Sequence, residues 1–213
     1  MRKIMFIFMA TCAILAACSK DNTNDPAATA DFVQLNPGNY WIWDFYKVDT
    51  NGVETKLDHT DSSFIYKDTL INGLQYAVKV SNQIQFTKNG EWMVNADTTF
   101  LRDSSGYLVT ETGYILFARD NFTDAFHTDT VPGLLWQEYR MTGKDSLVTV
   151  PGGTFSTRTM MGVYYPLDIS YAWRIRKVYN VYGSGVGLIR FTYGFYSQPQ
   201  MWEGRLVRYH VQE

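Results

Sequence analysis

The chain has 213 residues, with 19 Lys and Arg against 21 Asp and Glu, which gives a formal net charge of -2. The charged side chains are scattered, and the sequence has no cationic stripe of the kind that binds nucleic acid. This pattern excludes a nucleic-acid partner, and the length fits one domain of ordinary size.

The first residues have the layout of a secretory signal peptide. Arg2 and Lys3 are followed by an uncharged, mostly apolar run over 4–17. That run is too short for a permanent membrane span, which needs roughly 20 apolar residues. We therefore predict that residues 1–17 are a signal peptide. Its removal leaves 196 residues, with 17 basic and 21 acidic side chains and a net charge of -4.

The two cysteines are Cys12, inside the predicted signal peptide, and Cys18, directly after it. A single cysteine in the exported chain has no internal disulfide partner, so Cys18 calls for another explanation. Leu15-Ala16-Ala17-Cys18 resembles the lipobox of bacterial lipoproteins. The resemblance implies cleavage between Ala17 and Cys18 and a membrane anchor of acyl chains, typically palmitate, on the Cys18 thiol. Two or more such chains give stable attachment.

The residues after the predicted anchor bear on its location. By the same resemblance, Ser19 favours the outer membrane, with the periplasmic and the external face both open. Beyond Cys18, residues up to 31 include no apolar side chain larger than alanine. Such a segment cannot bury enough surface to order itself, so we predict a flexible tether over 18–31.

Apolar and polar residues then alternate with a period of two, which is typical of half-buried strands. The clearest runs are Tyr40–Phe45, Leu74–Ser81 and Tyr171–Asn180. In the second run, the apolar face that we expect to be buried consists of Leu74, Tyr76, Val78 and Val80.

Turn signals separate these runs. Asn51-Gly52, Asn72-Gly73 and Asn89-Gly90 are hairpin dipeptides, because both residues tolerate positive φ. Further breaks are expected at 103–106, 143–145, 151–153 and 183–185. Short strands with regular turns predict an all-β fold, a single antiparallel domain over 32–213. A curved or barrel-like sheet is the first choice for its architecture, and a two-sheet sandwich is the second.

Two segments break the alternation. Gly183, Gly185 and Gly187 stand at alternate positions, and a strand interior rarely tolerates this. They predict a turn or bulge before a strand that starts near Val186, with positive φ at one or more of the glycines. The segment 120–135 is the least regular, and we expect a long loop there.

Three segments carry a family resemblance. Residues 148–155 resemble a V-x-V-P-A-G-T-F hairpin, with Gly152 where alanine is usual. Residues 182–190 resemble a Y-x-x-G-V-G-L-V-K strand entry, and residues 37–41 resemble a G-x-Y-W opening. Together they are similar to a family of Gram-negative envelope lipoproteins that has no assigned role. The resemblance implies an all-β envelope protein and brings no catalytic residue with it.

The histidines were considered as metal ligands, since a zinc site needs three or four converging side chains. Asp124, His127 and Asp129 would meet only if their loop folded back. His59 is followed two residues on by Asp61, and His210 falls on the polar face of a C-terminal strand. Solvated surface is the more common role for such residues, and we predict no metal site.

No catalytic motif is present in the sequence. Gly183-Ser184-Gly185 lacks the spacing of a hydrolase nucleophile elbow. Phosphate-binding, dinucleotide-binding, calcium-loop and zinc-protease patterns are missing as well. Paired carboxylates remain open, because a sequence does not show distances between acidic residues. We predict no catalytic residue and no cofactor.

The tryptophans are the remaining candidates for a binding site. Large aromatics contribute most of the buried area in small β domains, so most of them are expected in the core. Trp136 and Trp202 each lie near a polar, loop-like stretch, and we predict that they are more exposed and contact a ligand. The full set is Trp41, Trp43, Trp92, Trp136, Trp173 and Trp202.

The sequence therefore predicts a lipid-anchored envelope protein that binds a partner without catalysis. One alternative is a carrier or chaperone for lipid or another apolar ligand, and another is a surface glycan-binding protein. An enzyme with scattered catalytic acids is the third. An accessible apolar cavity would favour the carrier, an exposed row of tryptophans the glycan binder, and carboxylates that converge in a cleft the enzyme.

Overall fold

The computed structural model describes residues 31–86, 92–168, 175–195 and 199–212. The predicted signal peptide, Ala17, Cys18 and the tether up to residue 30 lie outside these ranges, as do Trp173 and the Asn89-Gly90 turn. In the described part of the chain, no helix has the length and apolarity to cross a membrane.

The described residues form twelve strands: β1 (Tyr40–Val48), β2 (Glu54–Ile71), β3 (Leu74–Phe86), β4 (Trp92–Ser104), β5 (Tyr107–Thr110), β6 (Ile115–Ala118), β7 (His127–Val131), β8 (Leu135–Val150), β9 (Gly153–Pro166), β10 (Arg176–Gly183), β11 (Gly187–Gly194) and β12 (Met201–His210).

These strands of the described residues belong to one antiparallel sheet, in the order β6-β5-β4-β3-β2-β1-β12-β11-β10-β9-β8-β7. The first and last strands pair at the centre, and the chain runs outward from them on both sides. Register shifts occur in several of the pairings, and such bulges bend a sheet and increase its twist. The sheet is strongly curled into a half-barrel. The all-β prediction and its curved-sheet architecture are confirmed, and the sandwich is not formed.

Side chains connect the two ends of the curled sheet. The Nε2 atom of His127, on β7, accepts a hydrogen bond from the backbone N–H of Ile115, on β6, at 2.8 Å. The Tyr182 hydroxyl, on β10, donates to the Leu116 carbonyl oxygen at 3.2 Å. The Arg158 guanidinium, on β9, contacts the Asp120 carboxylate beyond β6 at 2.8 Å. The edge strands therefore approach each other across the open side.

Residues 31–35, which we call the entry segment, lie inside the half-barrel. Phe32 is 1% exposed, and its ring lies 5.8 Å from the Phe117 ring and 4.8 Å from the Arg158 guanidinium carbon. The carbonyl oxygen of Asp31 accepts a hydrogen bond from the backbone N–H of Gly185 at 2.7 Å. The start of the predicted domain is therefore part of the packed interior.

The core consists of two clusters of buried side chains. The first lies around the centre of the sheet and consists of Trp41, Trp43, Phe45, Ile65, Ala77, Val150, Val181, Val186, Ile189, Phe191, Trp202 and Leu206. The second lies under the entry segment and consists of Phe32, Val33, Leu101, Leu108, Phe117, Ala118, Met141, Met160 and Tyr182. The alternation predicted over Tyr40–Phe45 is confirmed, because Trp41, Trp43 and Phe45, at alternate positions, are all buried.

The prediction for the faces of β3 is wrong in part. Tyr76 and Val78 are buried as expected, but Leu74 is 46% exposed beside the hairpin turn. Ala77 belongs to the first core cluster, and Lys79 pairs with the buried Ile65 of β2. Side chains on both faces of β3 are buried along this stretch, so the alternation of apolar and polar residues did not identify the concave face.

Two predicted irregular segments contain strands. β7 pairs with β8 inside the expected long loop over 120–135. It is an edge strand of polar residues, and edge strands often carry few apolar side chains, so the pattern was weak. The expected turn at 143–145 is a bulge within β8, with register shifts on both sides of Lys144 and φ of 53° at Asp145.

The glycine-rich turn is confirmed. β10 ends at Gly183 and β11 begins at Gly187, with φ of 73° at Gly185 and 91° at Gly187. At position 183 the constraint is the lack of space for a side chain. A Cβ there would lie 2.9 Å from a methyl carbon of Ile189.

Candidate functional site

A cleft of about 300 Å³ opens on the concave face of the sheet. Its volume is at the lower end of the range for small-molecule sites, roughly 300–1,000 Å³. Aromatic and leucine side chains form part of its wall, and polar groups from β2, β3, β10 and β11 form the rest. We call this the concave cleft, and its lining residues are Trp43, Asp61, Ser62, Ser63, Lys79, Ser81, Asn82, Leu116, Asn180, Tyr182, Leu188, Phe191, Thr192 and Tyr193.

A smaller apolar cavity of about 70 Å³ adjoins the concave cleft. The entry segment contributes Phe32, Val33, Gln34 and Leu35 to its wall, and core residues of the sheet form most of the remainder. The cleft and this cavity share the side chains Trp43, Lys79, Leu116, Tyr182 and Leu188. An amphipathic molecule can therefore contact both without leaving the half-barrel.

Asp61 is an acidic group of the cleft, and it is 5% exposed. Its Oδ1 atom lies 2.9 Å from Nε2 of His59, whose ring packs edge-on against Phe45 at 5.2 Å. Burial raises the pKa of Asp61, while the hydrogen bond and charge of His59 act in the opposite direction. Burial and the nearby Asp61 raise the pKa of Tyr193 to about 12. The acidic end of the cleft is thus already engaged by His59.

Lys79 is the cation that lines the cleft, on the neighbouring strand. Burial lowers the pKa of its ammonium to about 8, and the charge of Asp97 on β4 offsets part of that effect. Among the described residues, no hydrogen bond or ion pair engages the ammonium. The residue is half-buried, so the ammonium loses part of its hydration without gaining an ion pair, and this position is costly for the folded chain.

Ser63, on β2, is 2% exposed, and its Oγ atom is buried without a hydrogen-bond partner in the structure. In the ladder between β2 and β3, Ser63 pairs with Ser81 and Ile65 pairs with Lys79. Ser63 and Lys79 are therefore diagonal neighbours on the same face, a spacing that a long side chain spans.

The two tryptophans predicted to contact a ligand lie outside the concave cleft. Trp136, on β8, is half-buried and stacks on Tyr165 at 4.0 Å, and its ligand contact stays a prediction. Trp202 is 8% exposed and belongs to the first core cluster, so its expected exposure is wrong. The cause is that β12 lies at the centre of the sheet, where β1 and β11 flank it.

The histidines predicted to be surface residues have separate surroundings. His127 stacks on Tyr114 at 3.8 Å in addition to its hydrogen bond with Ile115. Asp124 accepts a hydrogen bond from Asn121 at 2.9 Å, and the Asp129 side chain lies outside the described part. His210 stacks on Tyr40 at 5.8 Å. Within the described ranges, no three metal-ligating side chains come together.

Sequence reasoning missed the polar groups of the cleft. Asp61 had been noted as the neighbour of His59, whereas Lys79 and Ser63 had been assigned no role. One pattern could have drawn attention to Ser63. It lies between Asp61 and Ile65 at alternate positions of β2, so the three side chains share one face of the strand. The alternating pattern of β3 indicated that Lys79 lies on the solvated face, whereas the structure places it on the concave face, where it lines the cleft.

Comparison with known proteins finds similarity of fold. No protein-family model and no curated protein sequence matches the chain. A candidate exported protein with a YmcC-like fold from Bacteroides fragilis is 13% identical, with a TM-score of 0.48, over 85% of this chain and 99% of that one. A candidate lipoprotein from Parabacteroides distasonis is also 13% identical, with a TM-score of 0.46 over the same shares.

Proposed function

We propose that this chain is a lipid-anchored, non-enzymatic binding protein of the cell envelope, and that its concave cleft holds a small organic ligand. The observation that carries the proposal is the cleft itself. It combines aromatic walls, at Trp43, Phe191 and Tyr193, with buried polar groups that can orient a ligand. Sites for small molecules commonly have this composition.

Binding is favoured over catalysis because of the acidic groups. Asp61 is the carboxylate among the described residues that line the cleft, and it is bonded to His59. A glycosidase-type mechanism would use two carboxylates that face each other across the substrate. The cleft therefore offers contacts for recognition and lacks a pair of opposed acids in its described lining.

A carrier for an amphipathic molecule is the second candidate, and the adjoining apolar cavity favours it. A flat platform for glycans is less favoured, because Trp41, Trp43 and Trp202 are buried. Trp136, which stacks on Tyr165, is the half-buried exception among the tryptophans whose side chains the structure describes.

The proposed anchor depends on Cys18, and a matched pair of cysteine substitutions tests it. Cys18→Ala should move the protein into the aqueous phase of a detergent partitioning assay, because no thiol remains at the predicted cleavage site to carry acyl chains. The wild type and Cys12→Ala should remain in the detergent phase, since Cys12 precedes the predicted cleavage site. Aqueous partitioning by all three proteins would contradict the anchor.

The binding function is tested by native mass spectrometry of the full-length protein extracted from membranes. We expect wild type to retain a small molecule that is released on unfolding. Ser63→Leu adds volume inside the cleft and should abolish the bound mass. Ser146→Leu makes the same chemical change at an exposed position of β8 and should retain it. A bound mass in both variants, or in none of the three proteins, would contradict binding in the cleft.

A further inference from the structure

The concave cleft holds an ammonium that no described residue engages in an ion pair, although the charge of Asp97 acts on it from β4. Lys79 projects from β3 beside Ile65, a core residue that is 1% exposed. Among the described residues nothing within ion-pair distance neutralises it. The residue is half-buried, so its ammonium loses part of its hydration on folding, and a partner of opposite charge would offset that loss. A ligand that supplies the negative charge would explain why a lysine occupies this position.

A buried hydroxyl without a partner stands beside it. The Oγ atom of Ser63 is inaccessible to solvent and makes no hydrogen bond. Buried polar atoms are nearly always satisfied, and an exception in a cleft indicates a missing partner. Ser63 is on the strand next to Lys79 and on the same face. Both residues line the concave cleft, and an ammonium and a hydroxyl on one face can hold an oxyanion once the Ser63 side chain turns toward it.

The other ionisable groups around Lys79 limit the charge of the ligand. Asp61 is bonded to His59, and Asp97 approaches from β4 and offsets part of the burial effect. Tyr182 and Tyr193 are neutral, because burial raises the pKa of each hydroxyl. One ammonium therefore faces the ligand from the described lining, and a dianion would leave a buried charge unpaired. A singly charged head group fits this balance.

The position of Lys79 also indicates where the rest of the ligand lies. Lys79 lines both the concave cleft and the apolar cavity, together with Trp43 and Leu188. We infer that the ligand is an organic carboxylate with an apolar body, that Lys79 and Ser63 hold its carboxylate, and that its apolar part packs on Trp43 and Leu188. This inference rests on the proposed binding function and adds the chemical class of the ligand.

A pair of probes that differ in charge and hardly in shape tests the inference. We would titrate the full-length protein in detergent with 4-butylbenzoate and with 4-butylbenzamide at pH 7, and measure binding by calorimetry. The carboxylate should bind the wild type about 10- to 100-fold more tightly than the amide, the range for one hydrogen bond to a charged group. Lys79→Met should remove that difference, and Ser63→Ala should reduce it. Lys177→Met, at an exposed position of β10, should leave it unchanged.

The outcomes separate the ligand class from the binding function. Equal binding of both probes, or a preference that survives Lys79→Met, would overturn the inference while the cleft remained a binding site. Absence of binding by both probes would overturn the inference as well, and native mass spectrometry would then decide the function by itself. A thermal melt of each variant, with a midpoint near that of the wild type, shows that lost binding does not come from unfolding.

Discussion

Replacing Phe32 with alanine is expected to lower the free energy of unfolding by about 3–4 kcal/mol, the usual cost of deleting a fully buried phenylalanine side chain. Phe32 is 1% exposed and lies between the Phe117 ring and the Arg158 guanidinium. Alanine would remove both contacts and leave a cavity next to the apolar cavity that Phe32 already lines. Urea denaturation of the full-length chain at pH 7 measures the change.

Phe64→Ala is the matched control, because Phe64 is 42% exposed on β2. Substitution at a surface position of this kind usually changes stability by less than about 0.5 kcal/mol. If the two alanine variants unfolded at the same urea concentration, the entry segment would not belong to the folded core. The expected result would instead show that the entry segment is part of the folded core of the half-barrel.

The sequence predicted the strands and hairpins better than it predicted how they assemble. Local signals carry the first kind of information, because alternation and Asn-Gly dipeptides act over a few residues. Asn72-Gly73 joins β2 to β3 as expected, with φ of 52° and 78°. The pairing of β1 with β12 joins residues more than 150 positions apart, such as Tyr40 and His210. No local pattern specifies such a pairing.

The candidate site was the least predictable part, and the reason is physical. A lysine opposite valines in a strand indicates the solvated face, which holds for a sheet with one wet side. Curling of the sheet placed the Lys79 side inside and covered both faces of β3. The predicted exposure of Trp202 is wrong for a related reason. Polar residues near it in the sequence do not show that its strand, β12, lies at the centre of the sheet. The chemistry of this site becomes visible only with the curvature of the sheet.

Lys79→Met is expected to stabilise the protein at pH 7, by about 1–3 kcal/mol, while it abolishes carboxylate binding. The pKa of the Lys79 ammonium is about 8 in the folded chain, against the ordinary value of 10.5. At roughly 1.4 kcal/mol per pH unit, this difference corresponds to an upper bound of about 3–4 kcal/mol for keeping the charge in the fold. Methionine has a similar length and no charge, so it removes the cost and keeps the packing.

The pH dependence of stability has a definite sign. Below pH 8 both the folded and the unfolded chain carry the proton on Lys79, and the folded chain bears the full cost. Between about pH 8 and 10.5 the unfolded chain binds more protons at this residue than the folded chain, so stability rises with pH. Tyr193, with a pKa of about 12 in the folded chain and 10 in the unfolded chain, lowers stability toward the upper end of that range, but it does so equally in the wild type and in Lys79→Met. Urea denaturation at pH 7, 9 and 10.5 should therefore show the advantage of Lys79→Met shrinking as the pH rises.

Lys177→Met separates this effect from a general consequence of losing a positive charge, because Lys177 is exposed. It should change stability little at any of the three pH values. A Lys79→Met protein less stable than the wild type at pH 7 would mean that the ammonium has a favourable partner in the folded chain, and the oxyanion receptor would then lose its basis. Greater stability combined with lost binding is the pattern of a site where function opposes stability. In that case an added carboxylate should stabilise the wild type and leave the methionine variant unchanged, since only the wild type has a charge for the carboxylate to pair with.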